Sequence, residues 1–192
     1  MIAGKPAPSS LSESDRQQLK GWTSLVARWF AWYQCAFLFG AASGGLLFGR
    51  LGDQIGRAKA MSISIVTYST MAGVAYFATS PTQLLVCWFL ACTGVGGMWP
   101  NGVALVSEAW SGMSRPMVAG IMGTSANIGI FLFSTLATQV KITPTEWRWV
   151  MLAGTVPLLL GLFSLVMVPE SPRWLAAKRR GGGRSSGGLV TQ

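Results

Sequence analysis

The chain has 192 residues, 51% of them hydrophobic and only 11% charged, with a mean hydropathy of +0.44 and a net charge of +9. Soluble domains carry roughly 25% charged residues, so this is the composition of a chain in lipid, not of an ordinary water-soluble domain. Histidine is absent, which removes histidine-based triads and histidine metal sites, and Cys35, Cys87 and Cys92 sit in apolar segments with neither ligand spacing nor a disulfide framework.

Residues 1–28 form a polar leader that holds Lys5, Arg16, Lys20 and Arg28 and lacks the apolar core of a signal peptide. Five apolar segments follow, at 29–48, 61–79, 84–105, 117–138 and 149–168. Each approaches the ~20 residues that a helix needs to cross a ~30 Å hydrocarbon core. Nothing between them is large enough to fold alone, so residues 29–168 are predicted as one five-span helical membrane domain. In the first span Gly40 with Gly44 and Gly45 with Gly49 form two G-x-x-x-G pairs, which allow close helix approach. Pro100 and Pro157 fall inside spans, where they predict kinks.

No span carries a charge between its two ends. The cations fall in loops and a tail instead of along one helical face, which points to membrane topology and not to nucleic acid. Arg50, Arg57, Lys59 and Arg115 share one side with the cluster after the last span, Arg173, Lys178, Arg179, Arg180 and Arg184. The excess of lysine and arginine makes that side cytoplasmic. An odd number of spans then places the basic leader outside. A further helix before residue 1 would make it an extracytoplasmic loop. Residues 169–180 are read as a cytoplasmic segment and 181–192, rich in glycine, as a disordered tail. Gly181-Gly182-Gly183-Arg184 lacks the Lys-Ser/Thr of a phosphate loop. With no histidine and no intramembrane acid, no enzyme, cofactor or metal is expected.

The densest signal is the charged turn between the first two spans, Gly49-Arg50-Leu51-Gly52-Asp53-Gln54-Ile55-Gly56-Arg57-Ala58-Lys59. It resembles the loop signature of the major facilitator superfamily, G-x-L-x-D-x-x-G-R-x-K, which joins that family's second and third helices. Thr93-Gly94-Val95-Gly96-Gly97 is similar to the family's glycine-rich fourth-helix signature. Glu108 and Arg115 resemble its charged pair at the cytoplasmic end of that helix. Pro169-Glu170-Ser171-Pro172-Arg173-Trp174-Leu175 is similar to the PESPRWL segment after the sixth helix of sugar-porter and related metabolite branches.

The resemblance implies an all-α membrane protein whose five spans correspond to helices two to six of a twelve-helix fold. A first helix and a C-terminal half would then lie outside this chain. It further implies a secondary active transporter that moves a small organic solute, a sugar, organic acid or organic ion, by alternating access with protons as a coupling ion. The expected location is a bacterial inner membrane with the C-terminus cytoplasmic. The alternative is a half-size, non-transporting membrane protein or gene remnant that needs a second half. Gly49, Asp53, Gly56, Arg57, Lys59, Glu108, Arg115, Glu170 and Arg173 are implied to form a cytoplasmic charge network, with Arg57 facing Glu108. Asp53 is implied to latch onto the missing half; alternatively it caps the following helix. Neutral residues must then line the cavity, with Gln34, Trp99, Asn101 and Asn127 as candidates. For the two asparagines the alternative is an interhelical hydrogen bond. The family's frequent arginine early in the fourth helix is replaced here by Cys87-Trp88-Phe89-Leu90, which weakens the case for proton symport.

Overall fold

A computed structural model describes residues 12–110, 112, 114–139, 148–172 and 174–176, and these are helices and short connections. Helix α1 spans Glu13–Ile55, 43 residues, or ~64 Å at 1.5 Å per residue, about twice the hydrocarbon thickness. The stretch expected as a polar loop is thus helical from Glu13 onward and continuous with the first span. Glu13 and Asp15 lie in its first turn, where carboxylates complement the positive helix end.

Helix α1 stops at Gly56, whose φ of +111° is the one positive value among the described residues. Helix α2, Arg57–Ala75, starts immediately beyond it. Helix α3, Pro81–Ala109, opens with Ser80 accepting a hydrogen bond from the Gln83 N–H at 3.2 Å and with Pro81 in its first turn, where a missing donor costs nothing. Pro100 lies inside α3 without ending it. Helix α4 runs over Arg115–Gln139. The span expected at 149–168 is divided into α5, Trp149–Ala153, and α6, Pro157–Met167, by a turn at Gly154–Val156. Pro157 explains the division, since its ring clashes with the carbonyl four residues back and it has no N–H to donate.

Among the described residues four segments are long and apolar enough to cross a membrane: α1, α3, α4, and α5 with α6. The fifth expected span, α2, is not in that set: it begins with Arg57 and Lys59 and carries several hydroxyl residues, which lower its hydropathy. Ser62, Ser64 and Ser69 are fully buried. Ser62 and Ser64 donate to the carbonyls of Ala58 and Ala60 at 2.9 Å, which satisfies the hydroxyls within the helix. Helix α2 packs on α3, α6 and α1, so its polar face meets protein and not lipid.

Glycines set the spacing between helices. A Cβ added to Gly44 would run into the Thr93 carbonyl oxygen of α3, and one on Gly97 into the Phe48 side chain of α1. Gly94 lets α3 approach α2, since a Cβ there would lie 2.8 Å from the Ser64 carbonyl oxygen. The second expected pair behaves differently: Gly45 makes only an ordinary contact with Gly96, and Gly49 faces open space. By contrast α4 touches mainly α3, and Val118 is its one buried residue among those described.

Candidate functional site

Of the residues expected in the charge network, Asp53, Gly56, Arg57, Lys59 and Glu170 lie where α1, α2 and the segment after α6 meet. Glu170 reaches back to the start of α2, with Oε2 accepting from the Ala58 N–H at 3.1 Å and Oε1 from the Lys59 N–H at 3.2 Å. Both donors belong to the first turn of α2, which has no intrahelical acceptors for them. The carboxylate therefore satisfies two orphan donors and places an anion at the positive end of the helix dipole. Gly56 makes the approach possible, because a Cβ at that position would occupy the Glu170 carboxylate. Ser171, 1% exposed, accepts from the Trp174 N–H at 3.2 Å and so turns the chain. The Trp174 indole N–H then donates to the Asp53 carbonyl at 3.1 Å. Glu170 and Trp174 together hold the α1–α2 turn from both sides.

The cap of α2 is thus Glu170, and the alternative assignment of that task to Asp53 does not hold. Asp53 instead pairs with Arg57 at 2.6 Å, four residues along and across the Gly56 break, with its side chain 65% exposed against 23% for Arg57. An exposed pair of this kind contributes ~0–1 kcal/mol. The expected pair between Arg57 and Glu108 is not formed: the guanidinium is engaged by Asp53, and Glu108, half-buried near the end of α3, has no ion pair among the described residues. Lys59 contributes its backbone N–H to the cap, and its side chain is exposed. Arg115 is exposed at the start of α4. Arg173 lies outside the described residues.

Helix α2 is held at its other end as well. Arg148, just before α5, donates from Nη2 to the Ala78 carbonyl at 3.2 Å, beyond the C-terminus of α2. Between the two ends, the hydroxyls of Ser62 and Ser164 lie 3.0 Å apart, and Gly161 sits against Ile65. The helices α2 and α5–α6 are therefore antiparallel in fixed register, with an anion at the N-terminus of α2 and a cation at its C-terminus, both signs matching the dipole.

The cavity candidates do not converge. Asn101 is fully buried between α1 and α3, where Nδ2 donates to the carbonyls of Phe48 and Gly97, each at 2.9 Å. It is an interhelical tie and lines no open space. Asn127, exposed on α4, donates to the Gly123 carbonyl one turn back at 2.8 Å. Gln34 and Trp99 are exposed on α1 and α3. A large apolar cavity of about 780 Å³ lies elsewhere, among α2, α3, α4 and α5, lined by Tyr68, Trp88, Cys92, Phe133 and Met151 among others. None of the four candidates reaches it. Its lining was missed because apolar residues in a membrane span read the same whether they face lipid or a cavity.

Glu170→Gln tests the cap. Glutamine offers one acceptor to two converging N–H groups and turns its own amide hydrogens toward the other. We expect a loss of about 1–3 kcal/mol, read as a melting temperature lower by roughly 2–10 °C in detergent-solubilised protein. An unchanged melting temperature would mean that the carboxylate contributes nothing to holding α2.

Comparison with known proteins agrees with this architecture. The sequence profile described as Major Facilitator Superfamily matches residues 12–189. The inner membrane metabolite transport protein YgcS of Escherichia coli is 30% identical over 144 residues, covering 74% of this chain and 32% of that one. The gallate transporter of Pseudomonas putida is 32% identical over 145 residues, covering 75% and 32%. The inward-open structure of the xylose transporter XylE from E. coli superposes with a TM-score of 0.65 at 22% identity, over 92% of this chain and 43% of that one. The chain therefore spans about a third of the length of these curated relatives. With the charged α1–α2 junction, the glycine-lined α1–α3 contact and a profile match over almost its whole length, this chain belongs to the Major Facilitator Superfamily.

Proposed function

We propose that this chain supplies helices two to six of a secondary transporter for a small organic solute, working by alternating access in a bacterial inner membrane. The relatives carry metabolites, and the names of two specify gallate and xylose; sugars, organic acids and organic ions are the solute classes to test here. Protons are the coupling ion to test, since Cys87-Trp88-Phe89-Leu90 stands where the family often has an arginine. Residues 49–59, around the α1–α2 break at Gly56, and the C-terminal segment are assigned to the cytoplasmic side. A first helix and a C-terminal half of the parent protein complete the cavity, and no enzymatic step is involved.

One observation carries this reading. The Asp53 backbone carbonyl is held by Trp174 and the neighbouring helix start by Glu170, while the Asp53 side chain, paired with Arg57, stays 65% exposed. A fixed, exposed anion suits contact with a surface on the second half that forms when one side closes and breaks when it opens. Such a contact biases the balance between two states and adds little to the fold.

The test uses the full-length parent with Asp53→Asn, which preserves shape and removes charge. Uptake of labelled sugars, aromatic acids and organic cations, with and without an uncoupler, should fall at least tenfold while folded protein in the membrane stays near the wild-type level. Unchanged uptake, or a loss that only tracks lost protein, would refute the latch. A wild-type parent that moves none of the panel would favour the non-transporting alternative.

A further inference from the structure

The Asn101 side chain has all its donors satisfied and its acceptor unused. Its two N–H groups face two carbonyl oxygens, those of Phe48 and Gly97, each at 2.9 Å. Rotating the amide by half a turn would set Oδ1 against those same oxygens, so the orientation is determined by its surroundings. Oδ1 consequently points at Gly52 of α1, fully buried and without a donor among the described residues. The Arg57 guanidinium lies on the same face of Gly52. A Cβ built on that glycine would meet Asn101 Oδ1 and would sit 3.3 Å from Arg57 Nη1. Arg57 meanwhile directs Nη2 to the exposed Asp53 carboxylate at 2.6 Å. The guanidinium thus holds an outer anion with Nη2 while its Nη1 lies on the same bare face of Gly52 as an inner neutral oxygen.

We propose that Asn101 is a positioning residue for Arg57, its Oδ1 forming an inner seat that the guanidinium takes when Asp53 is drawn away or removed. The ranking follows from chemistry. A carboxylate is the stronger acceptor for a guanidinium, so Asp53 holds Arg57 while it is available. Once Asp53 is engaged elsewhere, Asn101 Oδ1 is an unused acceptor on the same face of Gly52 as the guanidinium, and a buried acceptor without a donor is unfavourable. Moving inward, Arg57 would tie the first residue of α2 to the middle of α3 across the bare face of Gly52. Both Glu170 oxygens already accept from the N–H groups of Ala58 and Lys59. The exchange is a property of this chain and does not depend on the transport reading.

The chain contains two asparagines, Asn101 and Asn127, so labelling asparagine with ¹³Cγ and ¹⁵Nδ2 gives two side-chain signals by NMR in nanodiscs. Asn127→Gln assigns them. In Asp53→Ala the Asn101 carbonyl signal should shift while that of Asn127, an internal control for the fold, stays in place. In Arg57→Gln the further change Asp53→Ala should produce no additional shift. Asp53→Glu, which restores a carboxylate, should return the signal to its wild-type position. An Asn101 signal that ignores Asp53→Ala, or that shifts equally in the presence and absence of Arg57, overturns the proposal. Should Asp53→Ala give a misfolded protein, recognised by loss of the Asn127 signal, Asp53→Ser is read by the same criteria.

Discussion

Gly56→Ala is expected to remove most of the folded protein from the membrane and to lower the melting temperature of the remainder by roughly 5–20 °C. Two costs coincide at this position. The backbone has φ +111° and ψ 151°, a region that only glycine populates freely, and forcing another residue into it costs of order 1–3 kcal/mol. The new Cβ would also occupy the Glu170 carboxylate, and expelling it leaves the Ala58 and Lys59 N–H groups without acceptors, for a further ~1–3 kcal/mol. Together these approach the whole stability of a marginal fold, ~5–15 kcal/mol. A double-mutant cycle separates the two terms. If alanine expels the cap, Glu170→Ala should cost much less in the Gly56→Ala background than in the wild type. Equal costs in both backgrounds would show that the glycine serves backbone geometry alone.

Gly44→Leu should be the second severe change, and Gly49→Leu, five residues away on the same helix, should be nearly silent in stability. In lipid no hydrophobic force drives one apolar helix onto another, so association depends on close packing and hydrogen bonds. At Gly44 the α1 backbone lies directly against the Thr93 carbonyl of α3, and neighbouring contacts at Gly96 with Ala41 and Gly97 with Phe48 allow no compensating shift. A leucine there must part the two helices, costing about 1–3 kcal/mol or more. It would also disturb the hydrogen bond from Asn101 to the Phe48 carbonyl. Gly49 has nothing within 4 Å of an added Cβ, so leucine should change stability by no more than ~0.5 kcal/mol. Folded yield by fluorescence-detected gel filtration, followed by thermal melting, measures both. Equal loss for the two variants would mean that the α1–α3 contact is not what holds the bundle.

What could be read from the sequence was local. Lengths of apolar run located the helices, because a span must hide its backbone and present apolar side chains to lipid. The charged stretch 49–59 between two such runs reads as a turn, whereas α1 stays helical to Ile55 and Gly56 alone interrupts it; PESPRWL marked where the last helix must stop. Three outcomes required the tertiary structure. Whether α2 faces lipid or protein could not be read from its serines, since a hydroxyl bonded to its own helix looks the same in either setting until α3 and α6 are placed against it. Of the two glycine pairs in α1, both with the same spacing, only the relative rotation of α1 and α3 chose Gly40 and Gly44 over Gly45 and Gly49. The partners of the charged turn were also beyond local reading. Glu170 lies 112 residues from Ala58 and Trp174 lies 121 from Asp53, and only the antiparallel packing of α6 on α2 brings these ends together. The sequence announces charges and glycines; their partners are decided by the rotation and register of helices distant in the chain.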